Sequence, residues 1–189
     1  MARGVFVAGT DTGVGKTLVA AALLSAANAR GLSTAAVKPV ASGCVRGPSG
    51  LQNDDALMLS ANMSTDLPYA TVNPVALEPA VAPHLAAVEA SVRMSAAMLA
   101  EHCRRVLAMN ADLTVIEGAG GWLVPLNTEE TLADLAQLLQ LPVVLVVGMR
   151  LGCINHALLS ARAITASGLT LAGWVANCVQ PAMDFREAN

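Results

Sequence analysis

Aromatic and charged side chains are both scarce in this chain. Phe, Trp and Tyr make up 3% of its 189 residues and charged side chains 13%, against 54% hydrophobic residues. This composition lies far from that of disordered proteins, so a folded core of Ala, Val, Leu and Met is expected. The formal net charge is −3, and no run of Lys or Arg occurs. Because affinity for a phosphate backbone needs clustered basic residues, nucleic acid is not an expected partner.

Long apolar runs are missing as well. No uninterrupted stretch reaches the roughly 18–20 residues of a membrane-spanning helix. The most apolar run, 141–149, is short and contains Pro142, so it predicts a strand buried on both faces. The first four residues lead straight into a strand and a glycine-rich loop, which is not the anatomy of a signal peptide. No membrane partner is therefore expected.

Paired cysteines are also absent. No two of them form a C-x-x-C pair, and their spacing suits neither a zinc site nor a disulfide scaffold: Cys44, Cys103, Cys153 and Cys178. We therefore expect reduced thiols in a cytoplasmic protein.

Short apolar runs alternate with longer Ala- and Leu-rich stretches along the chain. The runs predict strands over 5–8, 34–38, 113–117, 143–148 and 171–176. The longer stretches predict helices over 17–30, 54–62, 91–109, 132–140 and 154–167, and the proline-punctuated 72–83 predicts a loop. Continuous apolar runs are typical of parallel strands covered on both faces. We expect one α/β domain over 1–189, a P-loop NTPase-like fold whose mostly parallel sheet is flanked by helices and binds ligands beyond the strand ends.

A glycine-rich loop, GTDTGVGKT at 9–17, follows the first predicted strand and opens the first predicted helix. Five residues separate Gly9 from Gly15, one more than in the usual P-loop formula. The backbone amides of Gly13, Val14 and Gly15 are expected to hold phosphate oxygens at a helix N-terminus. Lys16 is expected to reach the outer phosphates, and the Thr17 hydroxyl to bind Mg²⁺. This motif predicts an ATP-binding site.

Three charged residues stand near other strand ends. Glu117 ends an apolar strand directly before glycines, like the acidic residue of a Walker B strand. Asp55 is either a second metal ligand or an acid that complements a helix dipole, and spacing does not decide between them. Lys38 is either a surface cation or a second lysine in the phosphate crevice.

The motifs taken together resemble dethiobiotin synthetase, in order and over essentially the whole chain. They are GTDTGVGKT at 9–17, KPVASG at 38–43, YATVNP at 69–74, EGAGGW at 117–122, LGCINH at 151–156 and GWVAN at 173–177. The resemblance implies a carbon–nitrogen ligase of biotin biosynthesis. Such an enzyme uses ATP and Mg²⁺ to carboxylate 7,8-diaminopelargonate with CO₂ and to close a ureido ring, releasing ADP and phosphate.

The resemblance also implies roles for the nucleotide and metal residues. Lys16 would hold the ATP phosphates and the reaction intermediate. Thr17, Asp55 and Glu117 would hold Mg²⁺, and Asn177 would contact the edge of the adenine. A further strand and helix normally follow in this family, and we expect this chain to lack them, which bears on the base and ribose pocket.

Substrate contacts are implied in the same way. Thr12, Lys38 and Ser42 would contact the diamine–carbamate end, with Lys16, Lys38 and Thr12 as catalytic residues. A helix-opening loop contributed by the second subunit of a homodimer would bind the distal carboxylate: Gly152, Cys153, Ile154 and Asn155.

Three other kinds of protein are alternatives to the predicted ligase. A division or partition ATPase shares the strand order but usually carries a signature lysine where Thr10 or Asp11 stands. A cobyrinate-type amide synthetase needs a glutaminase domain that 189 residues leave no space for. A dimerisation partner without catalytic activity is the third alternative.

Overall fold

The computed structural model describes residues 4–48, 50–180, 182–185 and 187–188. Strands β1 to β9 occupy Gly4–Gly9, Thr34–Val37, Val40–Ala41, Val45–Gly47, Gly50–Gln52, Val75–Ala76, Leu113–Glu117, Val143–Gly148 and Leu171–Asn177. Helices α1 to α7 occupy Lys16–Asn28, Asp54–Asn62, Tyr69–Val72, Pro83–Glu89, Ala96–Leu107, Leu132–Leu139 and Cys153–Ala166.

The main sheet has the strand order β2-β7-β1-β8-β9, and all its pairs are parallel. The predicted α/β class and parallel sheet are therefore confirmed. The first strand lies in the middle because β7 and β8 pair with its two sides. The loop that follows β1 consequently opens at the centre of the carboxyl edge of the sheet, where such folds bind ligands.

Side chains of β1 alternate between two separate cores. Phe6 and Ala8 belong to the larger core, while Val5 and Val7 pack in the smaller one. Helices α1 and α2 contribute to the smaller core, and α5, α6 and α7 to the larger one. Burial on both faces explains why these strands are apolar without alternation.

The edge strand β9 departs from that pattern, since its residues alternate between exposed and half-buried. Trp174 is 63% exposed. The apolar run at 171–176 is therefore a strand as predicted but is not covered on both faces.

The segment between β2 and α5 departs most from the sequence-based prediction. The predicted loop at 72–83 contains β6, which pairs in parallel with β3, two residues each. The predicted helix over 91–109 begins late, at Ala96, because the Ser95 side chain accepts a hydrogen bond from the Met98 amide and caps it. Helix α4 was not predicted; its Pro83 begins the helix rather than interrupting one.

Within the described residues, no helix combines the length and the apolar character needed to cross a bilayer.

Candidate active site

A pocket of about 700 Å³ lies at the carboxyl ends of β1, β2 and β7. Most of the predicted site residues line it: Thr12, Gly13, Gly15, Lys16, Thr17, Lys38, Ser42 and Asp55. Glu117 lies behind this wall and is fully buried. The sheet order thus brings together residues that are separated by up to a hundred positions in the chain.

The phosphate loop needs glycine at its last turn before α1. Gly15 has φ 90° and is the N-cap of α1, with no side chain capping the helix. A Cβ atom there would lie 2.1 Å from Asn177 Nδ2, which donates a hydrogen bond to the Val14 carbonyl at 2.9 Å. The Val14 side chain is buried in the smaller core and anchors the loop. The amides of the first turn are therefore left to an external acceptor such as a phosphate.

Lys16 lies along the inside of this loop. It is 6% exposed, and its Nζ donates to the Asp11 carbonyl at 2.9 Å. Burial, and next the charge of Lys38, lower the pKa of Lys16 to about 8. A polyanion in the pocket would supply the negative charge that this ammonium lacks.

Lys38 bridges two carboxylates. Its Nζ lies 2.5 Å from Glu117 Oε1, 2.9 Å from Asp55 Oδ2 and 3.3 Å from the Gly118 carbonyl oxygen. Burial acts to lower the pKa of Lys38, but Glu117 and then Asp55 outweigh it, and the net pKa is raised. Burial likewise acts to raise the pKa of Asp55, which the charge of Lys38 nevertheless keeps below its usual value. Lys38 therefore lies in the crevice and is charged, which decides between the two alternatives that the sequence allowed.

The oxygens around Lys38 fit a hard divalent cation. Thr17 Oγ1 donates to Glu117 Oε1 at 2.9 Å, and Asp55 lies across the ammonium from Glu117. Glu117 Oε2 is buried with no hydrogen-bond partner in the described part of the chain. No group of three or more His, Cys, Asp or Glu is placed to hold a metal among those residues. Two carboxylates and a hydroxyl suit Mg²⁺, which usually keeps water and substrate phosphates as its other ligands.

The motif at 69–74 supports this cluster, a role that the sequence did not reveal. Tyr69 Oη accepts a hydrogen bond from the Asn53 amide at 2.8 Å and donates to Asn73 Oδ1 at 3.1 Å. Asn53 in turn caps α2 by accepting from the Asp55 amide at 3.1 Å. Asn73 Nδ2 donates to the Lys38 carbonyl at 2.8 Å. The backbones that carry Asp55 and Lys38 are thus tied together through one tyrosine and two asparagines.

Arg150 also contributes to the site, although it lies outside the six motifs. It follows β8 and forms an ion pair with Asp11 of the phosphate loop. The pKa of Asp11 is lowered, first by a hydrogen bond from the Thr12 amide and further by Arg150. A basic residue just beyond a central strand was the available signal, but its partner could not be identified without the sheet order.

The predicted carboxylate loop lies outside the pocket of its own chain. Gly152 has φ 94° and is the N-cap of α7, and Cys153 is buried beneath it. Ile154 and Asn155 are exposed. None of these residues lines the pocket around Lys16 and Lys38.

Comparisons with solved structures support the fold alone. A chimeric protein, CapA2B2, is 21% identical with a TM-score of 0.54, over 96% of this chain and 78% of that one. The kinase domain of the Escherichia coli tyrosine kinase ETK is 12% identical with the same TM-score, over 96% of this chain and 70% of that one.

Comparisons of sequence are far more specific. The family model of an AAA domain matches residues 3–189. The ATP-dependent dethiobiotin synthetase BioD of Pseudomonas paraeruginosa is 64% identical over 184 residues, 97% of this chain and 81% of the relative. The BioD proteins of Cellvibrio japonicus and Xanthomonas campestris are 59% and 51% identical, over 99% and 97% of this chain and 82% of each relative. At these identities over nearly the whole chain, the protein belongs to the family of ATP-dependent dethiobiotin synthetases.

Proposed function

We propose that this chain is an ATP- and Mg²⁺-dependent dethiobiotin synthetase that carboxylates 7,8-diaminopelargonate with CO₂ and closes the ureido ring. The observation that carries the proposal is the placement of Lys16, Thr17, Lys38 and Asp55 in one pocket at the N-terminus of α1, with the buried Glu117 in contact with Thr17 and Lys38. Phosphoryl transfer depends on positioning and charge neutralisation more than on covalent help from the protein, and this cluster supplies both.

The proposed reaction has three steps. One amine of the substrate attacks CO₂ and loses a proton, which leaves a carbamate. A carbamate oxygen then attacks the γ-phosphorus of ATP, and ADP leaves. The second amine attacks the carbonyl carbon of the resulting carbamic–phosphoric anhydride, phosphate leaves, and the ring closes with loss of another proton.

The phosphate loop and its lysine serve the second step. Amides of Gly13, Val14 and Gly15 and the Lys16 ammonium would bind the triphosphate, since these groups surround the N-terminus of α1. Asn177 contacts the loop through its side-chain amide, which donates to the Val14 carbonyl, and its side-chain oxygen would contact the adenine edge. Mg²⁺, held by Thr17, Asp55 and Glu117, would neutralise charge on the phosphates.

The diamine–carbamate end would lie over Thr12, Lys38 and Ser42. All three line the pocket. Lys38 and Lys16 would stabilise the negative charge that develops on the transferred group. Thr12 and Ser42 would orient the carbamate through their hydroxyl groups, which both donate and accept hydrogen bonds.

We propose a homodimer in which the distal carboxylate of the substrate contacts the start of α7 of the partner subunit. The start of α7 lies outside its own chain's pocket, with Gly152, Ile154 and Asn155 exposed, and suits a carboxylate in the partner's site. Beside them runs an apolar groove of about 410 Å³ whose walls include Ile154, Leu158 and Trp174. A cytoplasmic location is in keeping with four free cysteines.

Isotope labelling tests the reaction directly. The purified protein is incubated with ATP, Mg²⁺, 7,8-diaminopelargonate and ¹³C-bicarbonate, and the product is analysed by mass spectrometry. A dethiobiotin product that carries one ¹³C at the ureido carbon is expected. ADP released at the same rate without the diamine would favour a partition-type ATPase, and no turnover would favour a protein without catalytic activity.

A further inference from the structure

Lys38 uses its three hydrogen-bond donors on the two carboxylates that would hold the metal and on one backbone carbonyl. A lysine ammonium has three donors, and three oxygens surround this one: Glu117 Oε1, Asp55 Oδ2 and the Gly118 carbonyl oxygen. The side chain is 4% exposed, so water does not compensate for the loss of these contacts.

The same two carboxylates are the acidic groups available to a divalent cation here. Magnesium binds oxygens at about 2.0–2.1 Å, while Lys38 Nζ lies 2.5 Å and 2.9 Å from the nearest oxygen of each carboxylate. A metal bound to Asp55 and Glu117 would therefore lie close to a buried ammonium. Two cations held by one pair of carboxylates repel each other, and the repulsion is strongest on the side of Glu117, which is fully buried, while Asp55 is 45% exposed.

The charges of the cluster balance without a metal. Lys16 and Lys38 contribute two positive charges, and Asp55 and Glu117 contribute two negative ones. A divalent cation alone would leave an excess of two positive charges in a largely buried pocket. A triphosphate that arrives together with the cation removes that excess, because its own charge is strongly negative.

We propose that Lys38 competes with the divalent cation for Asp55 and Glu117, so that the cation enters only together with the nucleotide. This inference rests on the proposed Mg²⁺ site. When the cation binds, Lys38 gives up at least one carboxylate, and its ammonium turns toward the pocket that it already lines. Binding of the cation and movement of the Lys38 ammonium toward the substrate then occur together.

Mn²⁺ binding without nucleotide tests the competition, with free Mn²⁺ followed by electron paramagnetic resonance. Lys38→Met removes the competing charge, and Mn²⁺ is expected to bind at least about tenfold more tightly than to the wild type. Lys16→Met is the matched control. It removes the same charge from the same pocket, but Lys16 donates to the Asp11 backbone and not to a carboxylate. Its effect is expected to be clearly smaller than that of Lys38→Met, because Lys16 makes no contact with either carboxylate and acts on the cation only at longer range.

Two further variants test whether the tighter Mn²⁺ binding arises at Asp55 and Glu117. If Lys38→Met does not fold, Lys38→Gln removes the charge while keeping a donor for Glu117, and the same tightening is expected. In Lys38→Met/Glu117→Gln the tightening should disappear, because one of the metal ligands has lost its charge. A gain that persists in this double variant would place the ion elsewhere and overturn the proposal.

Equal Mn²⁺ affinities for the two methionine variants would also overturn it. The labelled-bicarbonate assay on the wild-type protein is independent of this result. Labelled product together with equal affinities rejects the competition and leaves the proposed function intact. Tighter binding in Lys38→Met without labelled product from the wild type supports the competition and rejects the proposed reaction.

Discussion

Two regions of the same sheet differ in which side chains they bury and which they expose. The catalytic corner lies at the ends of β1, β2 and β7, and most of its polar side chains are buried and hydrogen-bonded to one another or to the backbone; it comprises Lys16, Thr17, Lys38, Asp55 and Glu117. The apolar edge lies along β9 and α7, and its large side chains are exposed; it comprises Leu151, Ile154, Leu158, Leu159 and Trp174.

The contrast indicates which substitutions should affect the stability of one chain and which should affect its association with another. In the catalytic corner Lys38, Asp55 and Glu117 hold one another, so removal of Lys38 or Glu117 should affect both stability and chemistry. At the apolar edge little surface is buried, so a change there should affect association and hardly the fold of one chain.

Breaking the buried ion pair is the most severe test of the catalytic corner. Lys38→Met leaves the fully buried Glu117 carboxylate without its cation. Removal of one partner of a buried pair typically destabilises a protein by about 3–5 kcal/mol. Denaturant unfolding should show a loss of this size, and Lys38→Met/Glu117→Gln should recover part of it. A loss below about 1 kcal/mol would mean that the pair is not buried in solution.

Loss of the phosphate-binding lysine should affect chemistry more than folding. Lys16→Met keeps the apolar stem of the side chain and removes the ammonium. We expect kcat/KM for ATP to fall by at least about 10²–10³-fold, the usual effect of losing one charge-stabilising donor. Product formation measures the fall, and a thermal melt checks the fold. Gross unfolding would contradict the assigned role.

Nucleotide affinity should depend on pH through the same residue. The pKa of Lys16 is lowered to about 8, chiefly by burial. As the pH rises through this value the side chain loses its positive charge, so binding of a non-hydrolysable ATP analogue should weaken by about tenfold between pH 7 and pH 9. Arginine stays charged throughout this range, so Lys16→Arg should remove the inflection. An inflection that survives in Lys16→Arg belongs to another group.

The tyrosine behind the catalytic corner should have a moderate effect. Tyr69→Phe removes two hydrogen bonds, from the Asn53 amide and to Asn73. We expect the free energy of unfolding to fall by about 1–2 kcal/mol. Because Asn53 also caps the helix that carries Asp55, the Mg²⁺ concentration needed for half-maximal activity should rise. Unchanged stability and Mg²⁺ dependence would show that the hydroxyl supports neither.

The smallest effect is expected at the apolar edge. Leu151 is 96% exposed, so Leu151→Ser should change the unfolding free energy of one chain by less than about 0.5 kcal/mol. If a second copy covers this edge, the same change should weaken self-association in analytical ultracentrifugation. Leu18→Ser serves as the matched control, because Leu18 is also exposed but belongs to α1. A large loss of stability in Leu151→Ser would mean that the edge is part of the chain's own core.

Local patterns in the sequence predicted the elements of the main sheet well. Strands 113–117 and 143–148 and helix 54–62 are confirmed to the residue, because each has a clear apolar pattern and clear ends. The bridge of β3 with β6 and the hairpin of β4 with β5 were not predicted. They contain two or three residues per strand, too few to show any periodicity.

The phosphate loop could be identified from its sequence since its function depends on residues that are neighbours in the chain. Glycines, a lysine and a threonine between a strand and a helix form such a site wherever they occur. The site around Lys38 is different. The lysine meets Glu117 because β2 pairs with β7 in a register that places Val37 beside Ile116. Parallel pairing between strands so far apart in the chain leaves no local signal.

The sequence by itself determined the fold class, the phosphate loop and the family, since these follow from short-range patterns and from six collinear motifs. The tertiary structure alone decided that Lys38 faces the crevice, that Asp55 and Glu117 share one ammonium, and that Tyr69 and Arg150 support the site. The physical reason is that electrostatic and hydrogen-bond energies depend on distance in space, and only the order of the strands converts positions in the chain into distances.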